Sequence, residues 1–393
     1  MYFGRHEQTN TSDMKVLIVS NNAYMRGNGI CTAILSLLKH LRERGIDARL
    51  MACENPDKQG EQPDFPLKHF KIPVFEKLIS SNGFRFATAD KKVITEAVQW
   101  ADIIHIAEPF PLESVTIKIA RKLHTPCVGT FHFFSENILA NLGIKNARPI
   151  NKIITWFWRK TVYDHCSQIQ CPTATVRDYL LDNGYRSPLV VISNGIELSD
   201  ETFIPATPHM DPIEILCIGR LSNEKSQNTL LEAMRYSKHA DDILLHFAGK
   251  GPKEGKYRKM ADRLVKDGVL KYKPIFGFYK APQLKSMAHE SYLFIHCAWV
   301  EVEGLSCVEA IKEGLVPIIA KGPVTAAWQF ALDNRSIFPE SDAKALAERI
   351  DWWIEHPQER QEMAGKYAES IRNYNIEDSI DRIIQMYEES MRV

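Results

Sequence analysis

The chain has 393 residues, too many for one ordinary hydrophobic core, so two domains of about 150–200 residues each are expected. Its 49 Lys and Arg balance its 49 Asp and Glu, and this net charge of zero argues against a general attraction to nucleic acid. The eight Cys form no CxxC pair and several lie in apolar runs, which indicates buried free thiols in a reducing compartment and argues against a disulfide framework or a zinc site.

The first half of the chain alternates short apolar runs with amphipathic segments. Residues 1–13 are polar and contain no apolar core segment, so we expect a disordered tail and no secretory signal. The run 15–20 predicts a strand buried on both faces, and the helical spacing of apolar residues over 30–41 predicts the helix after it. Further strands are predicted at 102–106, 127–131, 167–171 and 190–193, with a helix at 112–123.

A second alternating series begins after residue 212. Its predicted strands cover 214–219, 243–248, 292–296 and 316–320, with a helix over 226–236. Alternating strands and helices predict parallel sheets with right-handed crossovers, and two series predict two doubly wound domains. Because ligands of open α/β sheets bind beyond the carboxyl ends of the strands, we expect the site in a cleft between the domains.

The domain boundaries follow from where this alternation stops. We predict an N-terminal domain over 14–198, a Pro-containing linker without periodicity over 199–212, and a C-terminal domain over 213–372. After about residue 341 only helices are predicted, and the last of them occupies 373–393. No run of 18 or more apolar residues occurs, so no transmembrane helix is expected.

Two motifs with charged or small residues lie just beyond predicted strands of the second series. Arg220 and Lys225 flank a turn, and two fixed cations there suit a departing diphosphate, although a solvated turn explains them as well. Gly249 and Gly251 would let backbone N–H groups approach an anion closely, but a plain turn at the end of a strand fits equally.

The run Glu301-Val-Glu-Gly-Leu-Ser-Cys-Val-Glu309 follows the strand at 292–296 through a short loop. Gly304 is predicted to open a helix that ends near Glu313, and the first N–H groups of that helix suit a sugar hydroxyl or a phosphate. The same spacing also fits a capping box, in which Glu309 only satisfies the start of the helix at Ser306. Spacing alone does not choose between these two interpretations.

Together these motifs resemble the signature of the family 4 glycosyltransferases, which are retaining enzymes with the GT-B fold. The resemblance covers nearly the whole chain beyond residue 14. It rests on six motifs in the family's order: Thr130-Phe-His132, Ser193-Asn-Gly-Ile-Glu197, Gly219-Arg220 with Lys225, Gly249-Lys-Gly251-Pro252, Glu301 with Glu309 and Ala310, and Gly314-Leu-Val-Pro317.

The resemblance implies a fold and an activity. The fold would be two Rossmann-like, doubly wound parallel-sheet domains facing each other across a cleft, with the helix of 373–393 packing back on the N-terminal domain. The activity would be that of a hexosyltransferase with a nucleotide-sugar donor, a UDP-sugar such as UDP-glucose being favoured over a GDP-sugar. No metal ion would be obligatory, because Lys, Arg and helix N-termini can stabilise the departing diphosphate.

The resemblance also implies roles for individual residues. Arg220 and Lys225 would hold the diphosphate, and Glu309 would bind the nucleotide ribose. Glu301 would contact the donor sugar, and His132 would line the reaction centre, which gives a predicted catalytic set of His132, Arg220, Lys225 and Glu301. Further donor contacts would come from Gly29, Gly249, Gly251, Phe278, Glu303, Gly304, Leu305 and Ser306.

Glu303 departs from the family pattern, in which an aromatic residue is common at this position. We expect this additional carboxylate either to bind sugar hydroxyls or to face solvent. It leaves the identity of the donor sugar open.

The acceptor would bind to the N-terminal domain. Asn28, in the loop 22–30, and Glu108 lie in stretches that resemble the subgroup that glycosylates diacylglycerol and related membrane lipids. The stretch 145–163 contains five cations, no acid and two indole rings, a composition that suits an anionic bilayer. Its polar positions form one narrow stripe, so the wide apolar face is expected to be buried, against the domain or in the bilayer. The predicted membrane contacts are Lys152, Trp156, Trp158, Arg159 and Lys160.

Two other functions remain open. One keeps the donor chemistry but uses a soluble or polysaccharide acceptor, and burial of Trp156 and Trp158 would favour it. The other is a GT-B protein that binds a nucleotide sugar without catalysis. A Rossmann dehydrogenase is excluded, because no G-x-G-x-x-G follows the first strand. We expect a cytoplasmic protein, on the inner face of the cytoplasmic membrane if the acceptor is a lipid.

Overall fold

The computed structural model describes residues 13–25, 27–141, 143–144, 147–198, 208 and 210–392. The predicted tail, apart from residue 13, and most of the predicted linker 199–212 therefore lie outside the described residues.

The N-terminal half contains one parallel sheet flanked by helices. Its strands are β1 (Lys15–Val19), β2 (Asp47–Cys53), β3 (Phe65–Leu67), β6 (Ile103–Ile106), β7 (Cys127–Thr130), β8 (Ile169–Cys171) and β9 (Leu189–Val191), and a separate antiparallel pair comprises β4 (His69–Phe70) and β5 (Phe86–Ala87). Its helices are α1 (Gly29–Glu43), α2 (Glu76–Ser81), α3 (Lys91–Trp100), α4 (Pro111–Leu123), α5 (Ser135–Asn141), α6 (Arg148–Thr161) and α7 (Ala174–Asp182). The sheet order is β3-β2-β1-β6-β7-β8-β9.

The C-terminal half repeats this plan. Its sheet has the order β12-β11-β10-β13-β15-β17, built from β10 (Ile213–Ile218), β11 (Ile243–Ala248), β12 (Ile275–Gly277), β13 (Leu293–His296), β15 (Val316–Lys321) and β17 (Ile337–Pro339), with a small parallel pair of β14 (Val300–Glu301) and β16 (Val324–Thr325). Its helices are α8 (Asn228–Ala233), α9 (Glu254–Lys266), α10 (Ala281–Glu290), α11 (Leu305–Lys312), α12 (Ala343–Glu355), α13 (Pro357–Ser370) and α14 (Ile376–Met391).

Helix α14 ends the C-terminal half in sequence but packs on the N-terminal sheet. Its buried face, formed by Ile376, Ile380, Ile383, Met386 and Tyr387, joins the apolar core that covers β1 and α1. Two doubly wound parallel-sheet domains and a final helix that returns to the first domain confirm the predicted fold class.

A buried chain of hydrogen bonds fixes α14 to the centre of this sheet. His105 lies 2.7 Å from the Tyr387 hydroxyl through Nδ1 and 2.7 Å from Thr130 Oγ1 through Nε2. The Thr130 hydroxyl donates to Gln170, at 2.6 Å, so the imidazole must donate from Nε2 and accept the Tyr387 proton at Nδ1. Burial, aided by the neighbouring His132, lowers the pKa of His105 to about 3 and keeps the ring neutral.

The chain of hydrogen bonds ends at the loop after β9. The amide of Gln170 donates to the carbonyl oxygen of Ile192 at 2.9 Å, just before the predicted motif at 193–197. Every member of the chain is buried and neutral, so it acts as a fixed structural tie between α14 and this loop.

The cysteines agree with the sequence prediction, whereas one strand of the N-terminal sheet was missed. All eight Cys are free and buried, as predicted. In the part of the chain that is described, no helix is long and apolar enough to cross a membrane. Strand β2 was not predicted, because Asp47 and Arg49 interrupt its apolar pattern; the guanidinium of Arg49 lies 4.2 Å from the ring centroid of Trp100.

Candidate functional site

The two predicted phosphate-binding cations lie in the turn after β10, and each is paired with an acid. The guanidinium of Arg220 contacts the buried carboxylate of Glu224 and also donates to the carbonyl oxygen of Asn82, in the N-terminal domain. The ammonium of Lys225 contacts Glu301. The turn therefore carries two balanced ion pairs, and Arg220 extends to the other domain.

Glu301 lies at the end of β14 beside a buried imidazole. Its Oε2 is 3.1 Å from His296 Nε2 as well as in contact with Lys225. Burial alone would raise the pKa of Glu301, but the charge of Lys225 and the hydrogen bond of His296 outweigh it and lower the pKa to about 2. The carboxylate is therefore an anion at any physiological pH and can accept hydrogen bonds from sugar hydroxyls.

Helix α11 starts directly after this carboxylate. Gly304 precedes it with φ +90°, and a Cβ there would lie 2.7 Å from Ala327, so both the backbone and the space require glycine. Gly304 is the N-cap, which places Ser306 inside the helix and leaves Glu309 exposed, without a side-chain hydrogen bond or ion pair to any described residue. The capping-box interpretation of Ser306 and Glu309 is therefore wrong.

Glu303 does not face solvent. Only 3% of its surface is exposed, and its carboxylate accepts hydrogen bonds from Ser193 Oγ at 2.5 Å and from Asn194 Nδ2 at 2.6 Å and backbone N at 3.2 Å. Burial raises the pKa of Glu303 to about 7, although these hydrogen bonds act to lower it. The side chain ties the loop before α11 to the N-terminal domain, so the expectation that it faces solvent was wrong, whereas a contact with the donor sugar stays a prediction.

The glycines after β11 serve loop packing. A Cβ on Gly249 would run into the carbonyl oxygen of Gly219, and a Cβ on Gly251 into that of Leu221. The N–H of Gly249 donates to the carbonyl oxygen of Gly277 at 2.7 Å, so it is already used and the expectation that it binds an anion is corrected.

The predicted base contact lies at the mouth of the cleft. The ring of Phe278, after β12, is exposed and lies 5.6 Å from Lys250 Nζ. A Cβ on Gly27, in the N-terminal domain, would lie 3.6 Å from this ring. Phe278 therefore faces the loop that leads into α1.

The opposite wall of the cleft is the start of α1. Asn28 caps this helix through Ile30 N at 3.0 Å and donates to the carbonyl oxygen of Gly83 at 2.9 Å, so its polar atoms are engaged in structure. A Cβ at Gly29 would meet no atom within 4 Å, which leaves the first turn of α1 open. The same 82–83 turn also accepts the hydrogen bond from Arg220.

His132 follows β7 and is half-buried. Burial lowers its pKa to about 4, so the imidazole is neutral at neutral pH and can take part in hydrogen bonds to hydroxyl groups without adding a charge. It sits at the carboxyl edge of the N-terminal sheet, where a reaction centre is expected.

Glu108 is fully buried, which corrects its assignment as a direct acceptor contact. Its carboxyl accepts from Asn21 N at 2.6 Å and from Ser20 Oγ at 3.2 Å, and Asn21 Nδ2 also donates to Glu113 at 2.7 and 2.9 Å. Burial raises the pKa of Glu108 to about 7 and that of Glu113 well above its ordinary value. Through these hydrogen bonds to Ser20 and Asn21, the two buried acids fix the position of the loop after β1.

Helix α6 has an unusual division of faces. Its buried side contains Asn151, Thr155 and Trp158, and Trp158 is only 4% exposed. Trp156 and Phe157 are each 55% exposed. The polar stripe was expected to lie opposite the buried face. This was wrong at Thr155, whose hydroxyl donates a hydrogen bond to Ser135 Oγ at 3.2 Å. Trp158 is corrected from a membrane contact to a core residue.

Only some of the predicted cations of this stretch are free. Arg159 donates to the carbonyl oxygens of Asn183 and Gly184, at 3.1 and 2.6 Å, and Lys160 pairs with Asp164 at 2.8 Å. Lys152 is exposed and forms no ion pair with a described residue, whereas Lys145 lies outside the described residues.

Several residues of the site had not been predicted. His296, Glu224 and Asn82 lack a motif of their own, and Glu113 resembles any acid on an amphipathic helix. The one usable signal was the position of His296 at the end of a strand directly before Glu301. Among the described residues, no group of three or more His, Cys, Asp or Glu could hold a metal ion.

Comparison with known proteins gives two adjoining family matches. The model "Glycosyltransferase Family 4" matches residues 27–200, and "Glycosyl transferases group 1" matches residues 199–371. The alpha-monoglucosyldiacylglycerol synthase of Streptococcus pneumoniae is 24% identical over 79% of this chain and 71% of that protein. The GDP-mannose-dependent alpha-mannosyltransferase of Corynebacterium glutamicum is 23% identical over 95% and 88%.

The solved structures support the fold. The Anabaena protein Alr3699/HepE in complex with UDP-glucose superposes with a TM-score of 0.71, covering 96% of this chain and all of that chain at 16% identity. This likeness shows that the two domains have the GT-B arrangement.

Proposed function

Because the chain belongs to glycosyltransferase family 4, we propose that it moves a hexose from a UDP-sugar to a hydroxyl group of a membrane lipid, with retention of the anomeric configuration. That it is a hexosyltransferase with a nucleotide-sugar donor follows from the family. The main support for the location of the site is the cluster of Lys225, Glu301 and His296. This cluster lies at the start of α11, opposite the open first turn of α1.

The main energetic requirement of the reaction is to stabilise the negative charge that develops on the departing diphosphate. As the bond from the anomeric carbon to the diphosphate breaks, the acceptor oxygen bonds to the same face of that carbon and its proton passes to a phosphate oxygen. Lys225, Arg220 and the first N–H groups of α11 supply positive potential where this charge develops. Loss of one such contact typically costs about 2.7–4 kcal/mol of barrier.

The other assigned residues hold the sugar and the nucleotide. Glu301 stays ionised and accepts hydrogen bonds from sugar hydroxyls, while the neutral His132 faces the sugar from the N-terminal domain. The exposed carboxylate of Glu309 binds the ribose, and Phe278 contacts the base at the mouth of the cleft. A GDP-sugar is the alternative donor, and the similarity to the GDP-mannose-dependent mannosyltransferase supports it.

A lipid acceptor is supported by the relative from Streptococcus pneumoniae and by the exposed face of α6. Apolar side chains on this face lie beside the unpaired Lys152, an arrangement that suits an anionic bilayer. They are Ile150, Ile153, Trp156 and Phe157. The burial of Trp158 favours the alternative of a soluble acceptor, whereas the exposure of Trp156 opposes it.

A donor–acceptor matrix tests the proposal. UDP-glucose, UDP-galactose and GDP-mannose are each offered with diacylglycerol or a sterol in vesicles and with soluble oligosaccharides, and products are identified by mass spectrometry and by the anomeric proton coupling. We expect an α-linked glycolipid from a UDP-sugar.

The Lys225→Ala variant tests the assignment of the site. We expect its turnover to fall by about 100-fold or more, because a charge contact to the diphosphate is lost, while the protein stays folded. Near-normal turnover in this variant would contradict the site, and transfer to soluble glycans alone would contradict the lipid acceptor.

A further inference from the structure

Four phenylalanines form a connected group that reaches the carboxyl edge of the N-terminal sheet, where Phe133 directly follows His132. We call Phe84, Phe86, Phe110 and Phe133 the aromatic row. Ring centroids are 5.0 Å apart for Phe84 and Phe86, 5.4 Å for Phe84 and Phe110, and 5.6 Å for Phe110 and Phe133. The row is therefore continuous, and at its far end the ring of Phe133 lies 6.1 Å from that of the buried Trp158 on α6.

One side of the aromatic row packs against the domain core, and the other side is partly exposed. All four rings are half-buried, and Phe110 and Phe133 pack against the apolar core of the N-terminal domain. Their edge-to-face contacts fix the orientation of the rings without covering them. A row of fixed, partly exposed rings beside a reaction centre presents an apolar surface to a ligand.

Each end of the row adjoins a segment of the candidate site. Phe133 directly follows His132, and Phe84 directly follows the 82–83 turn. That turn accepts hydrogen bonds from Arg220 on the donor side and from Asn28 at the start of α1. A molecule lying on the rings would therefore extend from the donor-side turn before Phe84 to Phe133, the residue after His132.

Phe86, beside Phe84, connects the row to a second exposed apolar element, because Phe86 in β5 pairs with Phe70 in β4. In segment 68–77, Val74 is 84% exposed, and Phe70 and Phe75 are exposed as well. The cations of this segment, Lys68, Lys71 and Lys77, are exposed and form no ion pair with a described residue.

The charge of this segment complements an anionic lipid surface. Its one acid, Glu76, is engaged by His69 at 3.2 Å and by the N–H of Ile72 at 3.3 Å. Free cations beside exposed apolar side chains are the composition of an interfacial element. The aromatic row thus runs from segment 68–77 to α6, which it contacts through the buried Trp158.

We propose that the aromatic row binds the apolar body of the lipid acceptor and presents its hydroxyl at His132, with segment 68–77 and α6 contacting the bilayer on either side. The proposal rests on the proposed function, since it assigns a binding surface to the lipid acceptor. The ligand class is a membrane lipid with a free hydroxyl at its polar end, and the role of the rings is to desolvate and align that lipid.

The test separates acceptor binding from donor binding. Phe84→Ala, Phe84→Leu and the control Tyr236→Ala, which removes an exposed ring of the C-terminal domain, are assayed with diacylglycerol in mixed micelles and titrated with UDP. We expect Phe84→Ala to raise KM for the lipid by about tenfold, Phe84→Leu to restore most of the affinity, and UDP affinity to stay within about twofold in all three.

A second measurement does not depend on a variant. The wild-type protein is irradiated with a diacylglycerol that carries a diazirine in its acyl chain, and the labelled peptides are mapped. Label on peptides containing residues 84–86 or 133 supports the aromatic row.

The outcomes distinguish the two levels of the proposal. If the wild type forms no lipid product, both the proposed function and this inference fail. If it forms the product, but Phe84→Ala keeps its KM and the label lies elsewhere, only the aromatic row is overturned. An equal rise in KM for a soluble oligosaccharide would assign the rings to sugar stacking and would also overturn the inference.

Discussion

Glu303 is a buried acid whose hydrogen-bond partners come from the other domain. Ser193 and Asn194 lie more than 100 residues before it, so no local pattern could have indicated that they meet. Glu301, two residues earlier, was predictable, because its spacing to Glu309 belongs to a family motif. At the scale of the residue, local motifs are predictable from the sequence, whereas partners distant in the chain are not.

The pKa of Glu303 leads to a prediction about pH. Burial raises it from its ordinary value of 4.5 to about 7, so between these pH values the folded protein holds a proton that the unfolded chain has released. The contribution of this group to stability is complete below pH 4.5 and is lost as the pH rises through 7. Relative to Glu303→Gln, the wild type should lose up to about 3 kcal/mol between pH 4.5 and pH 8.

Unfolding in urea at several pH values measures this difference. Glu362→Gln, which changes an exposed acid on α13, is the matched control and should show the same pH dependence as the wild type. A constant difference between wild type and Glu303→Gln across the range would show that the buried carboxyl does not titrate there.

Helix α6 shows what can be predicted about an element. Its approximate extent and its basic, aromatic character were read from the sequence, but its orientation was not. Apolar residues surround the helix, so the buried face depends on which partners the rest of the fold provides. Here the Thr155 hydroxyl donates to Ser135 Oγ and also forms a hydrogen bond with the Tyr179 hydroxyl, which puts Thr155 on the buried face and leaves Trp156 exposed.

The exposed face of α6 should determine vesicle binding. Trp156→Ala combined with Phe157→Ala should weaken binding to phosphatidylglycerol-containing vesicles by about tenfold or more, because two rings no longer enter the interface. The melting temperature should change little, since both rings are exposed.

Sedimentation with vesicles at low salt measures this effect. Leu332→Ala, at an exposed apolar position of the C-terminal domain, is the control and should bind like the wild type. Unchanged binding of the double variant would remove α6 from the membrane contact.

The architecture of the whole molecule was the most predictable level. Two alternating series imply two parallel sheets, because each crossover helix must cover a face of its sheet. What periodicity could not reveal was the crossing of α14, since an amphipathic helix does not specify which domain it covers; the family resemblance supplied that expectation. The contact that fixes it, between Tyr387 and His105, joins residues 282 positions apart.

Tyr387→Phe tests how far α14 supports the N-terminal domain. The variant leaves His105 Nδ1 buried without its donor, which should cost about 1–3 kcal/mol. Amide hydrogen exchange should quicken in β6 and β7 but not in β10 and β11, because the lost contact lies in the N-terminal sheet. Equal quickening in both sheets, or none, would contradict this division.

The packing of α14 also has a consequence for biosynthesis. The ribosome makes the N-terminal sheet first, yet Ile376, Ile380 and Ile383, which complete its core, are translated only after the second sheet. During synthesis of the second domain there is therefore a waiting period, in which the apolar surface beside α1 on the nascent chain stays uncovered. This waiting period is when the protein is most exposed to aggregation and most in need of a chaperone.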